Sequence, residues 1–156
     1  MNEDSGSLLV LAAEDCEPAK FDDVHKFTSR GDRRIISSLL AHGPVLLRGG
    51  RGSGKSALMI AASRQLDPFV PSATAVGIYM SLRHAPLLKS TGDAYGRILC
   101  EIVIRAVRHS LGARATDFEP LPDVDSLQAE LSKLAGVLGK RMVLYFDDAA
   151  HLGREA

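Results

Sequence analysis

Apolar positions along this chain follow two alternating rhythms, one helical and one strand-like. From Thr28 or Ser29, either of which can cap a helix, Ile35, Ile36, Leu39 and Leu40 return at helical spacing until Gly43-Pro44 stops the pattern. The short run Val45-Leu46-Leu47 then predicts a buried strand. After a glycine-rich stretch, Lys55 to Leu66 offers Ala57, Leu58, Ala61, Ala62 and Leu66 for packing and ends at Asp67-Pro68. Residues 75–82 (AVGIYMSL) predict a second strand, and residues 83–92 a loop. A long helix is expected over 93–111, with Ile98, Ile102, Val103, Ala106 and Val107 on one face. Pro120 and Pro122 break the loop 112–124. Asp125 or Ser126 then caps a helix striped by Leu127, Leu131, Leu134 and Leu138, which Gly139 ends. The last run, Met142–Phe146, is almost wholly apolar, as in a strand covered on both faces. Strands alternating with helices imply an α/β fold of three layers with a parallel sheet.

Composition narrows the class. With 156 residues, 46% hydrophobic and 24% charged, the chain suits one globular α/β or α-rich domain, not a collagen-like, coiled-coil or disordered one. Nineteen basic and nineteen acidic residues cancel, which argues against a nucleic-acid binder working by charge alone. The charge is nevertheless segregated. Residues 1–25 carry seven acids and one base, residues 26–82 eight bases and two acids, residues 83–114 six bases and two acids. Residues 115–131 carry five acids and no base. Such blocks read as solvated faces, with a docking surface for an acidic partner as the sharper alternative. There is no internal repeat or low-complexity segment, and residues 1–20 are expected to form a flexible acidic tail.

The apolar run Leu8–Ala13 is six residues long and follows acids, so it reads neither as a signal peptide nor as a membrane span, which needs about 20 residues. A membrane partner is not expected. Cys16 and Cys100 have no metal-ligand spacing; Cys100 lies in an apolar stretch and reads as a buried thiol. A reducing, cytoplasmic setting is the expectation.

Chemistry enters at the glycine-rich stretch. Gly49-Gly50-Arg51-Gly52-Ser53-Gly54-Lys55-Ser56 matches GxxxxGK[ST] in full, between an apolar run and a helix. Glycines allow positive φ and turn backbone N–H groups inward on phosphate oxygens. A helix starting at Gly54–Lys55 aims its positive dipole end at the same charge. Lys55 can reach the outer phosphates, Ser56 offers a hydroxyl to Mg²⁺, and the loop through Ala57 forms the nucleotide cradle.

A second constellation follows the last apolar run. Val143-Leu144-Tyr145-Phe146 leads straight into Asp147-Asp148. A carboxylate at the C-terminal end of a buried parallel strand sits on the ligand edge of its sheet. Asp147 suits the Walker B role of holding Mg²⁺, and Asp148 the position that orients or deprotonates an attacking water. His151 lies three residues on and reads as a surface or capping residue, with a γ-phosphate contact as the alternative. His25, His42, His84 and His109 form no ligand pattern.

The pair GGRGSGKS (Gly49–Ser56) and VLYFDDAAHL (Val143–Leu152) resembles the additional-strand P-loop ATPases, and within them the origin-recognition-like AAA+ proteins and the neighbouring STAND ATPases. The likeness covers about residues 21–152. It implies ATP and Mg²⁺ as ligands, Lys55 and Asp148 in catalysis, and a base-contacting role for the stretch Phe21–Phe27. GTP is disfavoured, because Asn2 is the only asparagine and no NKxD can be written. Relatives of this kind order five strands as 5-1-4-3-2, and this chain supplies strands one, two and three. Strand four, its sensor residue, strand five, an arginine finger and a helical lid are not written in it. The resemblance therefore makes residues 21–156 the N-terminal portion of an ATPase domain. The chain would be a fragment of a longer protein, be completed by a partner, or be truncated by nature. A homo-oligomer or larger assembly is implied, with nucleic acid engaged only through other regions. Three functions compete: an ATPase driving a conformational cycle, a nucleotide-dependent STAND-type switch, and a binding module without turnover.

Overall fold

A computed structural model of the chain describes residues 13–83, 85 and 92–148. Its elements run α1 (Pro18–Val24), α2 (Arg30–Leu40), α3 (Lys55–Gln65), β1 (Ala75–Ser81), α4 (Asp93–Leu111), α5 (Val124–Leu138) and β2 (Arg141–Asp147). Short 3₁₀ turns lie at Ala13–Asp15 and Gly112–Ala115. The described residues thus form a mixed α/β fold around a two-stranded parallel sheet. No helix among them is long and apolar enough to cross a membrane.

β1 and β2 pair from Ala75 opposite Arg141 to Ser81 opposite Asp147. Parallel strands need a long crossover, which α4, its following loop and α5 supply. Side chains alternate along a strand, so each face meets different helices. Val76, Ile78 and Met80 bury against Val103, Val107 and Leu111 of α4 and Leu127 and Leu134 of α5. Fully burying a side chain such as Val76 or Ile78 stabilises the fold by about 1.5–3 kcal/mol. The opposite face presents Tyr79, Val143 and Tyr145 to Ile36 and Leu39 of α2 and to Leu58, Met59 and Ala62 of α3.

Two contacts fix the helices to the sheet. At Gly77 the backbone of α3 comes so near that a Cβ would stand 2.7 Å from both Cα and O of Ser63. Only glycine permits that approach. At the other helix, the Tyr145 hydroxyl donates to the carbonyl of Leu39 at 3.0 Å, and Arg141 Nη2 donates to that of Leu40 at 3.0 Å. The last carbonyls of a helix have no partner within it, and a cation there also meets the negative dipole end.

Local chemistry explains the helix ends. Ser29 caps α2, its hydroxyl accepting from the Asp32 N–H at 3.0 Å. α5 begins earlier than Asp125 or Ser126: Asp123 is the cap, and its Oδ1 accepts from the Ser126 N–H at 2.8 Å. Gly139 ends α5 with φ +61°. Cys100 is buried as expected.

One expectation needs correction. Val45-Leu46-Leu47 is not a buried strand: it forms no ladder, and Val45 and Leu46 are 48% and 73% exposed. An apolar run becomes a strand only with a hydrogen-bonding neighbour, and among the described residues β2 pairs with β1 alone. Only Leu47 keeps a place, half-buried against the α2–α3 cluster. Within the stretch 1–20, Ala13–Asp15 turn and Pro18 opens α1, whose Phe21 is buried. Proline suits the first turn of a helix, where its missing N–H has no partner to lose. Residues 1–12 lie outside the described residues.

The Gly77 contact sets a test. Gly77→Ala places its methyl against backbone that cannot rotate away, so a loss of about 1–3 kcal/mol in unfolding free energy is expected from urea titration. An unchanged midpoint would mean that α3 does not lie this close to β1.

Candidate functional site

The glycine-rich loop coils around one lysine. Gly52 and Gly54 both take φ +78°, a region that a side chain disfavours. Gly54 is also the N-cap of α3. The Ser53 N–H donates to the Gly50 carbonyl at 3.3 Å, and a Cβ at Gly49 would stand 2.7 Å from Ser53 Oγ. Lys55 folds back into this ring. Its Nζ donates to the carbonyls of Gly49 at 2.8 Å and Gly50 at 2.7 Å and to Ser53 Oγ at 3.3 Å. Arg51 and Gly52 are exposed at the tip, Ser56 is half-buried in the first turn, and Ala57 is buried. All nine residues expected of the cradle, Gly49 to Ala57, are therefore contiguous around the head of α3.

The second group sits at the end of β2. Asp147 is 3% exposed, an uncommon burial for a carboxylate. Two donors make it tolerable. The Tyr79 hydroxyl donates to its Oδ2 at 2.7 Å, and the Asp148 N–H donates to its Oδ1 at 2.8 Å. Asp148 adopts φ +58°, and its Oδ2 accepts from the Ser81 hydroxyl at 3.2 Å and faces Arg83 Nε at 3.3 Å. A third acid arrives from far away in sequence. Glu14 pairs with Arg83 Nη1 and accepts from the Tyr79 hydroxyl at 3.3 Å. Carboxylate oxygens of Glu14, Asp147 and Asp148 lie within 4.8 Å of one another. Burial raises the pKa of the Tyr79 hydroxyl, and its bonds and proximity to Asp147 and Glu14 raise it further.

Strand alternation relates the two groups. Val143 and Tyr145 face α2 and α3, so Asp147 belongs to that same side of the sheet. α3 runs against the strands: Ser63 meets Gly77 near the start of β1, and the Gly77 N–H donates to the Leu66 carbonyl at 2.9 Å. The helix spans about 16 Å and β1 beyond Gly77 about 13 Å. The first turn of α3, with Lys55 and Ser56, is thus directed to the strand-end edge that carries Asp147 and Asp148. Among the described residues no direct ion pair joins Lys55 to either aspartate.

Other expected residues fare differently. Phe21 is 1% exposed, with the Arg64 guanidinium 5.0 Å from its ring centre and the His25 ring 4.6 Å away. Its ring is core, whereas Phe27 is half-buried and Val24 is exposed. His84 and His151 lie outside the described residues. Sequence reasoning missed Tyr79, Ser81, Arg83 and Glu14. The first three could have been found from parallel pairing, because residues at the C-terminal end of β1 must lie beside Asp147. Nothing in the acidic N-terminal stretch distinguishes Glu14 from its neighbours.

Comparison with models of protein families, with curated proteins and with solved structures finds no match.

The Tyr79–Asp147 bond generates a prediction. Tyr79→Phe removes the donor and leaves a buried carboxylate short of a partner, so a loss of about 1–3 kcal/mol is expected in chemical unfolding at pH 7. The raised pKa gives the pH dependence. Below about pH 10 the hydroxyl is protonated in both states and its contribution is complete. Above that, the unfolded chain releases the proton while the folded chain holds it, so stability falls. The difference between wild type and Tyr79→Phe should therefore be flat from pH 7 to 9 and shrink above pH 10. A difference that grows with pH would contradict the assignment.

Proposed function

We propose that this chain binds ATP with Mg²⁺ at the head of α3 and supports its hydrolysis, as part of a three-layer, AAA+-like P-loop unit. The observation that carries the reading is the Lys55 ammonium held inside its glycine loop by the carbonyls of Gly49 and Gly50. A lysine kept there by carbonyl dipoles can exchange them for phosphate oxygens, which are stronger partners. The loop N–H groups and the positive end of α3 favour the same charge. Ser56, in the first turn, suits the hydroxyl ligand of a phosphate-bound cation. The strand-end carboxylates are hard oxygen donors, the kind Mg²⁺ prefers. When bound, Mg²⁺ supplies charge neutralisation on the phosphate oxygens. Asp147, fixed by Tyr79, would hold the cation side of the site, and Asp148 would orient the attacking water.

Helices on both faces of a parallel pair support the three-layer reading. On that reading a further strand would lie beside Val45-Leu46-Leu47, of which Val45 and Leu46 are exposed. A partner or a longer chain would supply it, together with any arginine finger, in a homo-oligomer or larger assembly.

One observation favours a second reading, a switch that holds ATP with little turnover. One oxygen of the Asp148 carboxylate, Oδ2, is already engaged by Ser81 and Arg83, which restrains the group that would orient a water.

Calorimetric titration of the full chain with Mg·ATP tests the assignment. Lys55→Ala is expected to weaken binding by about 30-fold or more, the loss of roughly 2 kcal/mol of charged hydrogen bonding. Unchanged affinity in that variant would overturn it. Single-turnover hydrolysis that falls at least about 10-fold in Asp148→Asn supports the ATPase, whereas stable occupancy without turnover selects the switch.

A further inference from the structure

The stretch before α2 does more than precede the fold. Residues 18–22 are pinned to the C-terminal half of α3. Arg64 Nη2 donates to the Pro18 carbonyl at 2.9 Å and pairs with Asp22 at 3.6 Å, and its guanidinium covers the buried Phe21 ring. A few residues earlier, the 3₁₀ turn Ala13–Asp15 carries Glu14 to the opposite end of that helix, where the strands finish. The Glu14 side chain is only 15% exposed there. The segment therefore lies along α3 from Arg64 to the strand ends.

Its tip joins a cluster of charged groups. Three carboxylates share the edge, and Arg83 is the cation that binds two of them, Glu14 and Asp148. Carboxylates this close repel one another. Both Glu14 oxygens are taken by protein donors, Arg83 and Tyr79, so Glu14 serves here as a clasp. A triphosphate arriving at the head of α3 would draw Arg83 to itself. That would loosen the Glu14 clasp.

We propose that residues 13–17, anchored behind by the pinned α1, form an autoinhibitory strap, clasped by Glu14 on Arg83 and Tyr79, and that a nucleoside triphosphate and the closed strap exclude each other. The proposal rests on the nucleotide reading above. Linkage is reciprocal: a ligand that opens the strap must bind more tightly when the strap is already loosened.

Hydrogen–deuterium exchange and Mg·ATP titration on the full chain, wild type and Glu14→Gln, test this together. Without nucleotide, amides of residues 13–17 should exchange faster in Glu14→Gln, and Glu14→Ala should behave alike. Mg·ATP should speed exchange of the same amides in the wild type, and Glu14→Gln should bind it about 5-fold more tightly. Equal ATP affinity in the two chains overturns the strap while leaving the nucleotide reading intact. Weaker binding of Mg²⁺ alone by Glu14→Gln, or slower exchange of 13–17 on adding Mg·ATP, makes Glu14 a ligand and also overturns it. If neither chain binds ATP, the nucleotide reading fails and the coupling falls with it, whatever the variant does to exchange.

Discussion

Parallel pairing of β1 with β2 is the constraint from which the rest follows. Two strands alone bury too little to stand in water, so both faces must be covered. The register decides which side chains do that. Val76, Ile78 and Met80 turn to α4 and α5, while Gly77, Tyr79, Val143 and Tyr145 turn to α2 and α3. The same register sets Ser81 beside Asp147 at the strands' C-terminal edge. Slipping it by one residue would point apolar side chains at the wrong face and separate Tyr79 from Asp147.

That edge concentrates polar groups where the core ends. A buried carboxylate is unfavourable unless its oxygens find donors. Asp147 finds a phenol and a backbone N–H, and the phenol is available because Tyr79 sits two residues before the end of β1. Asp148, by contrast, leaves the strand through a left-handed conformation that carries its carboxylate to Ser81 and Arg83. Adjacent aspartates thus end in distinct surroundings: one is enclosed and fixed, the other is held by groups that a competing charge can draw off. This difference underlies the proposed division of work between holding a cation and orienting a water.

Much of this fold is legible in the sequence because local signals agree with tertiary packing. α4 reads over 93–111 from its apolar period, and α2 is announced by two candidate caps, Thr28 and Ser29, of which Ser29 serves. Lys55 and its glycines are legible because the pattern is contiguous and each residue acts through backbone geometry. Val45-Leu46-Leu47 misleads because hydrophobicity states that a run wants burial, not that a ladder partner exists. Asp123 is missed as a cap because three nearby residues carry suitable oxygens and only geometry chooses among them. Glu14 and Arg83 are invisible for a different reason. Their partnership spans most of the way from the N-terminal turn to the strand ends, and no short-range pattern encodes such a contact.

The central claim is that the α3 loop and the strand-end aspartates act as one site for a magnesium-bound triphosphate. Equilibrium binding of ATP with and without Mg²⁺, compared between the wild-type chain and Asp147→Asn, tests it most directly. The account expects magnesium to tighten ATP binding in the wild type and to have little effect in Asp147→Asn, with binding of free ATP similar in both. The same magnesium enhancement in both chains, or none in either, would contradict it.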